Sequence, residues 1–404
     1  MKFIQTTALA LLLGLTSGCS TLKTLKYIKG GSLYPAAFKT EVAFEMRLGL
    51  IVLKVKIHGK EHSFILDSGA PDAISKELAA ELGIKNAGNG KLKDSQGNSS
   101  SLGFAAVDSM DFGGLLFLNV GTAIVDLPPS NDITCFNVDG IIGANLMRKA
   151  IWEIDYERHI ITITSSLDSL TVPANAQTVK FHTDLVGVPM IDVQLNGVTE
   201  HNVIADLGSN HDFNCSMATY KKLEENGLHT NTYEYGAGSS GAFGRGKDDT
   251  TWYTVVSSIG LGNLKLTDQV VDFSEKASKT IGTNFFKHYR LIFDWSAHEL
   301  TMIPVSTYDN TSKKSYSFSL ELRDNKVFIS SVRTKIGVAA TGPQLGDQVL
   351  EIDRVDYRTC SHDSWCGLLS RRFYDTATSA SILVKRGDKE LKYEVEKEAM
   401  VSGK

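Results

Sequence analysis

A set of short marks occurs twice along this chain, in the same order and at matching distances. An apolar run delivers one aspartate to a small-residue turn, Phe64-Ile65-Leu66-Asp67-Ser68-Gly69-Ala70, and returns as Val203-Ile204-Ala205-Asp206-Leu207-Gly208-Ser209. From Asp67 to the glycine of Ile141-Ile142-Gly143 is 76 residues, and from Asp206 to the glycine of Thr280-Ile281-Gly282 it is again 76. Each glycine is followed after 12 residues by an aspartate beside an aromatic, Asp155-Tyr156 and Asp294-Trp295. Spacing kept at both steps marks an internal duplication, so the chain folds as two copies of one plan.

The first mark also constrains chemistry. A run as apolar as Phe64-Ile65-Leu66 reads as a buried strand, and a buried carboxylate at its end costs several kcal/mol unless it is paired or shared. Taken singly, each run is equally a strand followed by an ordinary turn. Upstream, Val42 to Ile57 alternates like a pair of strands, and His58-Gly59-Lys60 turns the chain into the Asp67 strand. Ile74, Leu78 and Leu82 have helical spacing closed by Gly83, and Met217 to Leu223, closed by Asn226-Gly227, is the longer counterpart.

Between each aspartate and its later glycine comes a polar Gly/Ser stretch, Asp94 to Ser100 in one copy and Tyr235 to Gly246 in the other. Both read as hairpin tips able to cover a cleft, with Gly97, Gly236 and Gly238 as flap glycines, or as plain exposed loops. The second stretch contains a formal G-x-G-x-x-G, but no apolar strand precedes it and no helix follows, so the dinucleotide context is absent. The strands after the hairpins end in Val125-Asp126 and Val271-Asp272.

A chain of 404 residues with 42% apolar and 22% charged side chains is ordinary globular material with room for more than one domain. Its net charge of -4 gives no basic footprint, so nucleic acid is not an expected partner. Lys2, the apolar run Ala8 to Leu15 and the small residues before Cys19 resemble a bacterial lipoprotein signal over residues 1–18. That resemblance implies lipidation of Cys19, a tether over residues 19–40, and a place in the cell envelope, periplasmic or on the outer membrane. An ordinary secretory signal is the alternative. Of the other cysteines, Cys360 and Cys366 are expected to pair because they are close in sequence. Cys360, His362 and Cys366 lack a fourth metal ligand, so neither a metal nor a cofactor is expected.

With these residues in hand, the chain resembles the retropepsin-like aspartic peptidases, with two lobes fused in one chain as in pepsin-like enzymes. The resemblance covers about residues 41–305 and rests on Asp67-Ser68-Gly69-Ala70, Asp206-x-Gly208, and the runs ending at Gly143 and Gly282. It implies a mainly β, bilobal acid-protease fold with lobes over residues 41–172 and 173–305. Asp67 and Asp206 would form the shared catalytic pair, supported by Ser68, Gly69, Gly208, Gly143 and Gly282. Two carboxylates about 3 Å apart share one proton; the ionised member activates water, and the protonated one stabilises the oxyanion. One residue departs from the family pattern: Leu207 stands where a Ser or Thr hydroxyl normally bonds across the lobe interface.

Residues 306–314 read as a polar linker. Beyond it, residues 315–397 are expected to form a small α+β unit, and Gly346-Asp347-Gln348-Val349-Leu350-Glu351-Ile352 resembles a segment of PDZ domains. Such a groove would take C-terminal peptides as an added strand. Two function classes remain: an aspartic endopeptidase of the envelope acting on peptide or protein substrates, and a non-catalytic lipoprotein of the same fold that binds peptides. No His-Glu-x-x-His and no Gly-x-Ser-x-Gly occurs, which disfavours zinc and serine hydrolysis.

Overall fold

The structure, a computed structural model, describes residues 29–126, 132–238, 240–338, 341–370 and 377–401. The expected signal peptide, Cys19 and residues 20–28 of the expected tether lie outside the described residues. Among those described, no helix is long and apolar enough to cross a membrane.

The chain is mainly β. Alternation builds its first hairpin: Leu50–Ile57 buries its apolar positions, and Lys60–Asp67 runs back beside it with Val52 opposite Ile65. The two-residue turn between them places His58 at φ 52° and Gly59 at φ 79°, the twist that tight hairpins require. The second copy repeats the device with Asn196 and Gly197, at φ 45° and 83°, between Pro189–Leu195 and Val198–Ala205.

Each aspartate strand then enters the same arrangement. Lys60–Asp67 lies parallel to Gly140–Gly143, with Asp67 opposite Gly143, and Gly140–Gly143 is antiparallel to Ala73–Ser75. In the second copy Val198–Ala205 lies parallel to Thr280–Ile281, which is antiparallel to Phe213–Ser216. Both short strands after the turn run parallel to a long neighbour, Leu115–Val125 and Leu264–Ser274. Each leads into a helix, Lys76–Glu81 and Met217–Glu225, capped by the Ser75 and Ser216 hydroxyls.

The two copies are joined through Ile151–Asp155 and Tyr289–Asp294, which pair antiparallel with Glu153 opposite Ile292. Those two residues are 139 positions apart, as are Asp67 and Asp206, and Gly143 and Gly282. The flanking pairs, Trp152 with Phe293 and Ile154 with Leu291, exchange under the same shift. A pseudo-two-fold axis therefore passes between Glu153 and Ile292. One continuous hydrophobic core runs through both copies, from Phe44 to Tyr308.

Residues 315–397 bring their own core, built on Phe318, Leu320, Val327, Ile329, Val349, Trp365, Ile382 and Val384. Their strands Phe318–Arg323, Lys326–Lys335, Gln348–Ile352, Ser379–Arg386 and Lys389–Glu396, with the helix His362–Ser370, make a small α+β unit. This C-terminal unit is not a free appendage. Lys326–Lys335 pairs with Thr232–Gly236 of the second copy, so one sheet crosses the junction.

Three expectations are corrected. Cys366 pairs with Cys135, 231 residues away, and Cys360 is a buried free thiol, as is Cys215. Sequence proximity lost to tertiary proximity, because the helix carrying Cys366 packs against the 3-10 turn Asp132–Phe136. The sulfurs that lie nearest His362 are thus held in a disulfide rather than offered as thiolates. The expected linker, 306–314, is packed: Tyr308 joins the main core, and the Asn310 side chain exchanges two hydrogen bonds with the Val270 backbone, at 2.7 and 2.9 Å. The described part of the expected tether is partly docked, since Ser32–Tyr34 pairs with Leu116–Leu118.

The copies differ in charge where their counterpart strands end. Asp126 is exposed and paired with Lys76 at 2.5 Å. Asp272 is half-buried; desolvation, then the nearby Asp212 carboxylate, push it up to about 7, against the pull of Lys313. An unfolded aspartate titrates near about 3.9, so the folded chain holds an extra proton between those values. The stability it contributes is present below about pH 4 and is lost as pH rises through about 7. Asp272→Asn, which keeps the contact from Asn214, is expected to reduce the fall in Tm between pH 5 and pH 8. Thermal melts of both proteins across that range check it, and equal slopes would refute it.

Candidate active site

Asp67 and Asp206 end their strands facing each other across the pseudo-two-fold axis, with their side chains in hydrogen-bond contact. Each carboxylate accepts the N–H two residues on, Gly69 at 2.8 Å for Asp67 and Gly208 at 2.9 Å for Asp206. The turns have to be bare on their inner sides. A methyl group on Gly208 would lie 2.2 Å from the Asp67 carboxyl carbon, and one on Gly69 would lie 2.7 Å from that of Asp206.

One hydroxyl ties the two turns together. Ser68 Oγ donates to Ala205 O at 2.6 Å and accepts from the Leu207 N–H at 3.0 Å, so a single buried side chain reaches from the first copy into the second. Leu207 supplies no hydroxyl for the reciprocal pair. Its side chain is fully buried in the main core rather than lying between the carboxylates. The grip is one-sided, and the carboxylates still meet.

Gly143 and Gly282 close the back of the site. A methyl group on Gly143 would sit 2.3 Å from the Pro71 carbonyl carbon, and one on Gly282 would sit 2.5 Å from Ser209 O. Only bare backbone lets each strand pass so close behind its aspartate turn. Two further residues, not singled out in the sequence, brace the first turn. Asp72 accepts the Gly143 N–H at 2.9 Å, and Asn145 accepts the Asp72 N–H at 2.7 Å while donating to Gly121 O at 2.9 Å. Burial raises the Asp72 carboxyl well above its usual range. A signal for Asn145 was present: the same asparagine follows each glycine, as Asn145 and Asn284. In the second copy Asn284 instead donates to Asn210 O.

Burial also dominates the electrostatics of the facing pair. It raises Asp67, partly offset by the N–H groups of its turn and by Asp206. Asp206 is raised well above the usual carboxylate range by burial first and by the Asp67 charge second. Two carboxylates in contact cannot both ionise easily, so both are raised and the pair as a unit is held toward sharing one proton.

The two hairpin tips meet each other. The first, between strands Gly88–Lys93 and Ser99–Phe112, turns at Gly97 with φ 82°. Asp94 in that tip accepts the N–H groups of Gln96 and Asn98 and also that of Phe243 from the second tip, at 3.0 Å. The Asn98 amide donates to Arg245 O at 2.9 Å, and the Ser278 N–H to Ser95 O at 2.8 Å. The second tip is a short ribbon, Ser240–Gly241 against Gly244–Arg245. Gly236 lies at its base, not its tip: a methyl group there would be 2.3 Å from Ser330 O in the C-terminal unit. Gly238 sits beside Glu234, where a methyl group would be 2.8 Å from its carboxylate. Phe243 of the second tip, Leu92 and Ile133 pack with Ala70, three residues past Asp67, against the buried cluster of Leu102 and Phe104.

Residues 53–146 match the family model described as aspartyl protease. The matched stretch contains the Asp67 turn, the first hairpin tip at Gly97 and Gly143, and stops before the second copy. No curated protein matches the chain.

Proposed function

We propose that this chain is an aspartic endopeptidase built from two retropepsin-like lobes, 41–172 and 173–305, with Asp67 and Asp206 as its catalytic pair. The observation that carries the reading is the meeting of two carboxylates, Asp206 buried and Asp67 half-buried, on duplicated turns, each opposed by a glycine of the other turn. The aspartyl protease match over residues 53–146 supports it from sequence. In this reading the ionised carboxylate takes a proton from a water held between the two as that water attacks the peptide carbonyl. The protonated one donates to the developing oxyanion and later returns a proton to the leaving amine. Closure of the two hairpin tips excludes solvent, which strengthens each of these interactions.

The further parts belong to the same proposal. Residues 315–397 are a PDZ-like unit that docks substrate or partner chain ends. The protein is lipid-anchored through Cys19 in the bacterial envelope. The second reading, a peptide-binding relative without hydrolysis, is favoured by one observation: Leu207 leaves the grip between the turns one-sided.

The test is cleavage of an unfolded protein by the chain from Ser20 onward, across pH 3–8, with and without a statine-type inhibitor. Because both carboxyls are raised, cleavage is expected in acid and is expected to fall as pH rises and the shared proton leaves. The inhibitor, whose hydroxyl mimics the tetrahedral intermediate, is expected to abolish it. Inhibitor binding with no cleavage at any pH would select the second reading.

A further inference from the structure

The C-terminal unit meets the hairpin tips from two sides. On one side its strand Phe318–Arg323 places Glu321 against the second hairpin tip, where Arg245 Nε lies 3.0 Å from Glu321 Oε2. Both side chains are largely buried, at 21% and 16% exposed, so the pair is not an ordinary surface contact. The same Arg245 offers the backbone carbonyl that the Asn98 amide of the first tip holds. On the other side, the helix His362–Ser370 is stapled by Cys366 to Cys135, and Trp365 Nε1 donates to Asp132 Oδ1 at 2.8 Å. Asp132 Oδ2 in turn accepts from Ser240, in the ribbon of the second tip, at 2.7 Å. The neighbour of Asp132, Ile133, packs against the same buried cluster as Ala70 of the Asp67 turn.

We propose that Glu321 is a positioning residue of the cleft: through Arg245 it holds the second hairpin tip against the first, so the C-terminal unit sets how readily the tips close on a bound chain. This rests on the peptidase reading for its consequence in turnover, but not for the contact itself. The reasoning is geometric. The ribbon Ser240–Arg245 is Gly-rich and four residues of strand long, too short to hold its own position. Its anchors are Asp94 and Asn98 from the first tip, Asp132 through Ser240, and Glu321 from the C-terminal unit. Because that unit is fastened to the first copy by a disulfide, an anchor on Glu321 ties the second tip to a fixed frame. Removing the Glu321 charge leaves the tips to open more often, which weakens substrate holding before it touches the chemistry.

The experiment compares Glu321→Gln, Glu321→Asp and the charge-exchanged pair Glu321→Arg with Arg245→Glu, each in the full mature chain. Amide exchange at Phe243 and Asn98, whose N–H groups bond to Asp94, is expected to quicken roughly tenfold in Glu321→Gln and to recover in the exchanged pair. KM for an unfolded protein substrate is expected to rise by roughly tenfold with kcat within about twofold, and Glu321→Asp to fall between the two. Unchanged exchange in Glu321→Gln, or faster exchange with KM unmoved, overturns the proposal. So does failure of the exchanged pair to recover while its Tm matches the parent. Should the parent neither cleave nor bind the inhibitor, the peptidase reading fails, and the exchange rates still decide whether Glu321 holds the tip.

Discussion

Asp67→Asn and Asp206→Asn are each expected to lower kcat by about a thousandfold or more, the equivalent of about 4 kcal/mol in the barrier. The amide keeps the size and most hydrogen bonds of the carboxylate but can neither take the proton from water nor share one. What separates a catalytic loss from a structural one is the sign of the stability change. Asp206 is raised by burial and by Asp67, so its stability contribution is present in acid and lost as pH rises through its raised value. An asparagine there cannot ionise, so it never places a second charge beside Asp67. Asp206→Asn is therefore expected to lose less Tm than the parent as pH rises, while losing turnover. Cleavage assays and thermal melts on the same preparations check this. Retained cleavage in both variants would take the pair out of the mechanism, and a sharply lowered Tm would make the aspartates structural.

The second large effect concerns a residue that does no chemistry. Gly208→Ala places a methyl carbon 2.2 Å from the Asp67 carboxyl carbon and within 2.5 Å of both its oxygens. Something has to give, and the least costly movement is rotation of the Asp67 side chain away from its partner. The backbone at Gly208 is not in the left-handed region, so alanine meets no conformational penalty there. Overpacking of this kind costs about 1–3 kcal/mol in stability. A misplacement of about 1 Å in a reacting group costs turnover about a hundredfold. Gly208→Ala is therefore expected to remain folded and to lose kcat/KM by about that factor. Gly69→Ala is expected to act in the same direction through Asp206, where the approach is 2.7 Å and less severe. Full activity in Gly208→Ala would mean that the carboxylates do not oppose each other in solution.

Much of this site was legible in the chain because its signals are local and repeated. The apolar run before each aspartate encodes a buried strand, and the glycines after Ile142 and Ile281 encode a close backbone crossing. The strand pair before Asp67 followed from alternation over a few residues. Less visible were contacts whose partners are distant and chemically generic. Nothing in the spacing of Cys366 points to Cys135, because the pairing depends on which helix packs on which turn. Asp94 reads as one more polar residue in a loop, yet it joins two tips 149 residues apart. Tyr308 and Asn310 sit in a polar stretch that composition marks as a linker, and only the core they enter reveals them as packed.

The sequence by itself determined that the chain is built twice on one plan and that each copy carries an aspartate to a tight turn. Strand formation and glycine turns are settled by neighbours along the chain, so they survive translation into letters. Only the tertiary structure decided that the two turns face each other, because that follows from the antiparallel pairing of Glu153 with Ile292 about a shared axis. It also decided the fate of Leu207, whose side chain finds room in the main core while Ser68 alone bridges the turns. Whether a bulky residue blocks a site or clears it depends on the cavity around it, and that cavity is made by residues from both copies.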